Sequence, residues 1–521
     1  MSDAEKKNEG LTRREFAKTV AAGVAAVAAA QSLNALEAHA APGASKMTEA
    51  AAGQVSSTGP KGKTAIELMS ENAVKVRFED LDEQTIKTQK DRLIDLTGCI
   101  IGGAMSARNA SLVKIVREMG GIEEAPLFIH GGRVPISNAA MVNSISCRSN
   151  DFGVMSINLD GHWVAAHNGE TSIPTALTFS DVYNVSGKEF LTTTLVGDDT
   201  ANRVLAASGV EHGRGWDGTS TLPVFGVVPI AGRFMGLSAL QMRDAFGIAV
   251  NTVAGTGQAQ EDQSISFKLG QGFSARNGIF SARLAKEGWD GEEDALFGGG
   301  KSYYYLFCGT NDISHPELLT KDLGKKFYQE VFFKRYPCGM PNHSFVHAAL
   351  ALNKQYGIKA ADIREIELAN AGGGGFGYGQ PYQVRRTPQP GGIFSNLYTT
   401  VSAVVRGRLT IRDFDAEAMT TPEILGAIAK AKIVKDPALG GVNMGSVRVR
   451  VTTNDGHVYE KVDNGAEVYR YPTREEILSK YWGQVDAYQS VSRAKAQKIL
   501  DMIDRIEDVK QMKEYTELLM P

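Results

Sequence analysis

The sequence predicts a mainly α-helical protein, with a large helical domain built from both chain ends and a smaller α+β segment inserted between them. Three observations carry this prediction. Apolar residues recur at helical spacing from about residue 65 to 306. After about residue 332 the pattern changes to short strands, with a hairpin signal at Asp455-Gly456. From Thr473 onward helical spacing returns. The boundaries that follow are 1–40, 41–63, 64–330, 331–468 and 469–521.

The first segment, 1–40, reads as an export signal. Thr12-Arg13-Arg14-Glu15-Phe16-Ala17-Lys18 is a twin-arginine pattern, and the stretch from Thr19 to Ala30 is Ala-rich and mildly apolar. Ala38-His39-Ala40 supplies a small-x-small cleavage site, so the mature chain would begin at Ala41-Pro42. No later run reaches the ~18 uninterrupted apolar residues of a membrane span. The expected location is therefore the bacterial periplasm, with no membrane attachment after cleavage. Proteins on this route cross the membrane already folded, so the site would assemble in the cytoplasm. Residues 41–63, rich in Ala, Gly, Ser and Lys, read as a flexible lead-in.

Within 64–330, residues 84–105 place Ile86, Leu93, Ile94, Leu96, Ile100 and Ile101 close to a helical period. Further helices are expected at 174–183, 221–235, 239–254 and 274–287, and their Ala and Gly content suits close helix–helix approach. Within 331–468, residues 363–371 read as a strand, and 447–453 pairs with 457–462 across Asp455-Gly456. In the tail, Thr473 and Glu476 make a capping box, and 485–512 continues at helical spacing. Gly372-Gly373-Gly374-Gly375-Phe376-Gly377 satisfies GxGxxG after a strand. The Gly, Pro and Gln residues that follow supply no helix N-terminus for a pyrophosphate, so it reads as a loop over a cleft.

Formal net charge is -3, and no basic run or basic–aromatic stripe recommends a nucleic-acid partner. Cys99, Cys147, Cys308 and Cys338 are scattered, without a CxxC pair, which argues against an iron–sulfur ligand set. His343 and His347 share a helix face in "YPCGMPNHSFVHAAL", but Ser344 stands where a zincin has glutamate. No metal and no cofactor are expected.

Several polar residues stand in small or apolar segments. Asp151 follows Ser149-Asn150, and His167 precedes Asn168-Gly169 and a helical run. Asp217 and Ser220 lie in "GRGWDGTST" just before a helix, where Asp217 suits a cap as well as it suits catalysis. Lys268 lies in "SISFKLGQGFSARNG", where a solvated lysine is the default, and Tyr398 lies in "FSNLYTT", where the default is a core tyrosine.

Together these segments resemble the MmgE/PrpD family, over about residues 65–515. The match is carried by "GWDGTSTLPVFGVVPIAGRFMGLSALQMRDAFGIAV", "KLGQGFSARNGIFSARLAKEGWDG", "YPCGMPNHSFVHAAL", "FSNLYTTVSAVVRGRLT" and the ending "KILDMIDRIEDVKQM". The resemblance implies an α+β lid at 331–468, usually a homodimer, and cofactor-independent chemistry such as that of 2-methylcitrate dehydratase, cis-aconitate decarboxylase or iminodisuccinate epimerase. It places Asp151 at the first aspartate of an Asp-rich motif, His167 at its following histidine and Lys268 at the active-site lysine. His343 falls at the lid histidine and Tyr398 at the lid tyrosine. Departures are that Asp151-Phe152-Gly153-Val154 lacks a further acidic residue and threonine, and that His167-Asn168 replaces His-Pro. Asp217 stands where the decarboxylases carry histidine.

These groups suit removal of a proton α to a carboxylate. A lysine can hold the carboxylate and the enediolate-like charge, a histidine can take or return the proton, and a tyrosine can donate to a leaving hydroxyl. The expectation is a lyase that dehydrates a small hydroxy-polycarboxylate. His343, His167, Lys268, Tyr398 and Asp151 form the expected catalytic set, and Asp217, Ser220 and Lys268 the substrate-binding set. An epimerase, a decarboxylase and a periplasmic carboxylate-binding protein are the alternatives.

Overall fold

The computed structural model describes residues 62–159, 162–208, 215–372, 378–440 and 446–521; the signal at 1–40, all but the last residues of the lead-in and the glycine run from 373 lie outside them. Helices longer than ten residues are numbered here. The first nine are α1 (Ala65–Lys75), α2 (Glu83–Ala104), α3 (Asn109–Met119), α4 (Ile136–Arg148), α5 (Gly169–Tyr183), α6 (Gly187–Ser208), α7 (Pro223–Met235), α8 (Ala239–Val250) and α9 (Leu269–Lys286). Four more follow: α10 (His343–Tyr356), α11 (Asn396–Arg406), α12 (Arg474–Tyr488) and α13 (Arg493–Asp504).

Small residues let these helices pack almost backbone to backbone. A Cβ built at Gly197 of α6 would lie 2.7 Å from the Gly226 carbonyl of α7, and one at Gly226 would lie 2.9 Å from the Gly197 carbonyl. Helix α4 is central, packed against α2, α5 and α9, while α7 packs on α6 and α9. The chain ends meet at α2, against which α12 packs. The helical body is thus closed by a helix that follows the sheet in sequence. Thr473 and Glu476 form the capping box that starts α12. The tail does not run on as one helix; Gln489 adopts a left-handed conformation at φ 52° and separates α12 from α13.

The sheet has four strands, β1 (Ile363–Asn370), β2 (Ala431–Lys435), β3 (Val447–Thr453) and β4 (Val458–Asp463), in the order β2-β1-β3-β4. β3 and β4 form the hairpin read from Asp455-Gly456, and β1 pairs antiparallel with β3. β3 alternates as a one-face-buried strand should: Val447, Val449 and Val451 are buried and Arg448 and Arg450 are not. Helices α10 and α11 pack beside this sheet, and Phe345, Val346, Val401 and Val404 join its valines and isoleucines in one core cluster. β2 pairs parallel with β1. Its sequence, AKIVK, carries no fully buried position, so burial leaves no pattern to read there.

Candidate functional site

The C-terminus of α4 and the N-terminus of α5 converge on one point. After Arg148 the chain turns through Ser149 and Asn150 into Asp151, which has the left-handed φ of 45°. This is a strained conformation for a residue with a side chain, costing ~1–2 kcal/mol unless its surroundings hold it. At the start of α5, Glu330 Oε1 accepts from the backbone N–H of Asn168 (2.8 Å) and of Gly169 (3.1 Å), which fixes His167 just outside the helix. Met155 and Phe332 exchange backbone hydrogen bonds of 2.8 and 2.9 Å, and this bridge brings Lys334 to the same place.

Five charged or titratable side chains meet there, all buried. Asp151 accepts from Arg148, and its Oδ1 lies 2.6 Å from Lys334 Nζ. Arg148 lies 3.4 Å from Glu170 Oε2, and the same oxygen lies 3.2 Å from His167 Nδ1. That histidine contact is close without being aligned as a hydrogen bond. Burial alone would raise the Asp151 carboxyl, but Arg148 and Lys334 outweigh it and hold the group well below the usual carboxylate range. Glu170 is likewise lowered, with Arg148 overcoming burial. Burial and the Arg148 charge push His167 below the ordinary imidazole value, so at neutral pH it is an uncharged base. Burial lowers Lys334 as well, opposed by Asp151.

A cavity of about 500 Å³ opens onto this cluster. Arg148, Asp151, His167 and Lys334 line its charged side; Met155, Trp216, Met340, Pro341, Tyr378 and Phe394 supply an apolar wall. Burial keeps the Tyr378 hydroxyl protonated far above neutral pH. An anion held by Arg148 and Lys334 would rest beside a neutral imidazole and a tyrosine hydroxyl, which suits carbanion chemistry next to a carboxylate.

Of the residues read from the sequence, Asp151 and His167 line this cavity. Lys268 approaches it from behind. Its Nζ donates to Ala107 O (2.7 Å), Asn109 Oδ1 (2.8 Å) and Ser149 Oγ (3.2 Å), and burial pulls its ammonium down to about 7. His343 starts α10 and is fully buried between the rings of Phe332 and Tyr336. Its Nε2 lies 3.3 Å from Cys338 O, its Nδ1 makes no hydrogen bond, and burial and Lys334 push it down to about 3. Tyr398 lies outside the cavity lining, stacked on Tyr382, with its hydroxyl donating to the Asp413 carbonyl. Asp217 caps the short helix Gly218–Thr221, accepting from Thr219 N–H at 3.0 Å and from Ser220 Oγ at 2.8 Å; both Asp217 and Ser220 line a neighbouring cavity of about 370 Å³. His347 reaches Asp463 Oδ2 at 2.5 Å and ties α10 to β4. No cluster of three metal-ligating side chains occurs among the described residues.

Arg148, Glu170, Lys334 and Tyr378 are the cavity and cluster residues that sequence reasoning missed. Lys334 follows the apolar run Val331-Phe332-Phe333, but Arg335 beside it makes the pair look like ordinary surface cations. Glu170, in the first turn of a helix, looks like an ordinary dipole partner.

The helical body carries an inserted sheet-bearing part, and its cavity brings two cations, a carboxylate and an imidazole together at Arg148, Lys334, Asp151 and His167. Residues 67–316 match the MmgE/PrpD N-terminal domain and residues 336–506 the MmgE/PrpD C-terminal domain. The chain belongs to the MmgE/PrpD family. It is 23% identical over 452 residues to the cis-aconitate decarboxylase-like protein oryM of Aspergillus oryzae, covering 82% of this chain and 91% of that protein. It is 22% identical to the cis-aconitate decarboxylase of Mus musculus (74% and 79% covered) and to that of Aspergillus terreus (83% and 91% covered).

Proposed function

We propose that this protein is a cofactor-independent lyase that removes a proton α to a carboxylate of a small hydroxy-polycarboxylate and eliminates water. The observation that carries this reading is His167, neutral and buried at the edge of the cavity, with Glu170 at 3.2 Å behind it and Arg148 and Lys334 beside it. Arg148 and Lys334 hold the substrate carboxylate and the enediolate-like charge. The α C–H bond breaks, its proton passes to His167 Nε2, and Glu170 stabilises the imidazolium. The electron pair forms the C=C bond as the β C–O bond breaks, and the leaving hydroxyl takes a proton from Tyr378. His343 is fully buried between Phe332 and Tyr336 and outside the cavity lining, so it takes no direct part in this scheme.

Decarboxylation is the second reading, favoured by the names of the relatives. There the C–C bond to a carboxylate breaks, carbon dioxide leaves, and the carbanion is protonated by a charged His167. A neutral His167 in the resting protein supports abstraction before donation, so elimination stands first. The export signal supports a periplasmic location, and the family resemblance supports a homodimer.

Incubation of the mature protein with di- and tricarboxylic hydroxy acids in deuterium oxide, followed by NMR, tests the reading. Elimination gives an alkene acid, with deuterium entering the recovered substrate. Decarboxylation releases carbon dioxide. A ligand that binds with no exchange, elimination or loss of carbon dioxide would mean the protein is a carboxylate-binding protein.

A further inference from the structure

The turn that carries Asp151 is held by a second buried ion pair that does not touch the cavity. Four successive residues, 151–154, each give one backbone group to a charged side chain. Lys334 Nζ donates to Asp151 O (3.0 Å), and Lys480 Nζ donates to Phe152 O (2.5 Å). Gly153 N–H donates to Glu170 Oε1 (3.1 Å), and Val154 N–H donates to Asp95 Oδ2 (3.0 Å). Two of these clamps, Lys334 and Glu170, belong to the cluster already described. The other two, Asp95 of α2 and Lys480 of α12, pair with each other at 2.6 Å. Asp95 has no exposed side-chain surface and Lys480 only 8%. They line a separate cavity of about 370 Å³ on the far side of the turn.

Such an arrangement is expensive to maintain. Burial raises the Asp95 carboxyl, and Lys480 opposes that rise; a buried pair of this kind gains little net stability over an apolar one. Packing α12 on α2 does not need it either, since Arg474 and Asp91 already link the same two helices with a 3.2 Å pair. What the Asp95–Lys480 pair alone does is take one carbonyl and one N–H of the turn that keeps Asp151 at its positive φ.

We infer that Asp95 and Lys480 are positioning residues. Through the backbone of residues 152–154 they set where the Asp151 carboxylate sits between Arg148 and Lys334, and so set the field at His167. This inference rests on the reading of the His167 cluster as the active site, but its test does not require a substrate.

The test is the titration midpoint of His167, followed by NMR on the free mature protein, in wild type, Lys480→Met, Asp95→Leu and Arg474→Met. Removing a distant cation raises a histidine's midpoint and removing a distant anion lowers it, so a pure field effect moves Lys480→Met and Asp95→Leu in opposite directions. Positioning predicts the same direction in both. Either variant releases the turn, Asp151 withdraws from Arg148 and Lys334, and the two less-compensated cations lower His167 by about half a pH unit or more. Arg474→Met leaves the midpoint in place. Lys480→Arg, which keeps a donor at Phe152 O, restores most of the wild-type value. Opposite shifts, no shift, or an equal shift in Arg474→Met overturns the inference. If Lys480→Met does not fold, the Asp95→Leu/Lys480→Met double variant removes both charges of the pair together and is read in the same way, a downward shift supporting positioning and no shift refuting it. Failure of the catalytic reading shows separately, as a His167 that shifts in these variants while no acid reacts in wild type.

Discussion

Asp151→Asn is the perturbation that the site resolves most sharply, because one carboxylate neutralises two buried cations. Lys334 Nζ lies 2.6 Å from Asp151 Oδ1 and Arg148 contacts the same oxygen. At an effective dielectric of about 20, a pair at that separation attracts by about 6 kcal/mol. The cost of burying the charges offsets much of this, and breaking a buried pair typically destabilises by about 3–5 kcal/mol. Asparagine keeps the shape and loses the charge, so unfolding in urea at pH 7 should show a loss of about 3–5 kcal/mol. The pH dependence has a definite sign. Asp151 titrates below its unfolded value of 3.8 in the folded protein, so its contribution is full above that value and fades as pH falls through the folded one. The gap between variant and wild type should therefore be flat from about pH 5 to 8 and close below about pH 4. A gap under about 1 kcal/mol at pH 7, or one that widens in acid, would refute the account of the cluster.

Other outcomes follow from the same geometry. Lys268 deprotonates near 7 when folded and near 10.5 when unfolded, so the unfolded chain holds the extra proton between those values. Stability should accordingly rise with pH across that window, by up to about 1.4 kcal/mol per pH unit, and Lys268→Met should lose this slope in urea unfolding at pH 8 to 10. Gly153→Ala would set a Cβ 2.6 Å from Glu170 Oε1, displacing the partner of His167; we expect a loss of about 1–3 kcal/mol by calorimetry and a lower turnover. His347→Asn loses the partly buried contact with Asp463 and should cost about 1–2 kcal/mol with turnover kept.

The helical body was legible because its signals are local. The period of residues 84–105 reappears as α2, and Asp455-Gly456 closes the hairpin of β3 and β4. Strand β2 was not legible, since its place depends on a parallel pairing with β1 across more than sixty residues. The helix 187–208 hides behind three consecutive threonines, a β-favouring run. In the folded chain Thr192 and Thr194 bond back to the carbonyls of Lys188 (2.8 Å) and Phe190 (2.7 Å), which satisfies their hydroxyls inside a helix. At the site, Asp151 and His167 stood out as polar residues in small or apolar surroundings. Their partners did not. Glu170 and Arg148 occupy helix ends where acid and base are ordinary. The turn at Asp151 and the backbone pairing of 155–156 with 331–332 bring Lys334 to them, and no residue spacing encodes either.

The central claim is that His167 removes a proton α to a carboxylate, and deuterium entry into the substrate measures that step directly. With a hydroxy acid that the wild-type protein converts, the rate of α-deuteration should fall by about 100-fold or more in His167→Asn. Binding of the same acid should stay within a few-fold of wild type, since Arg148 and Lys334 remain. A His167→Asn protein that exchanges the α-proton at the wild-type rate would contradict the account.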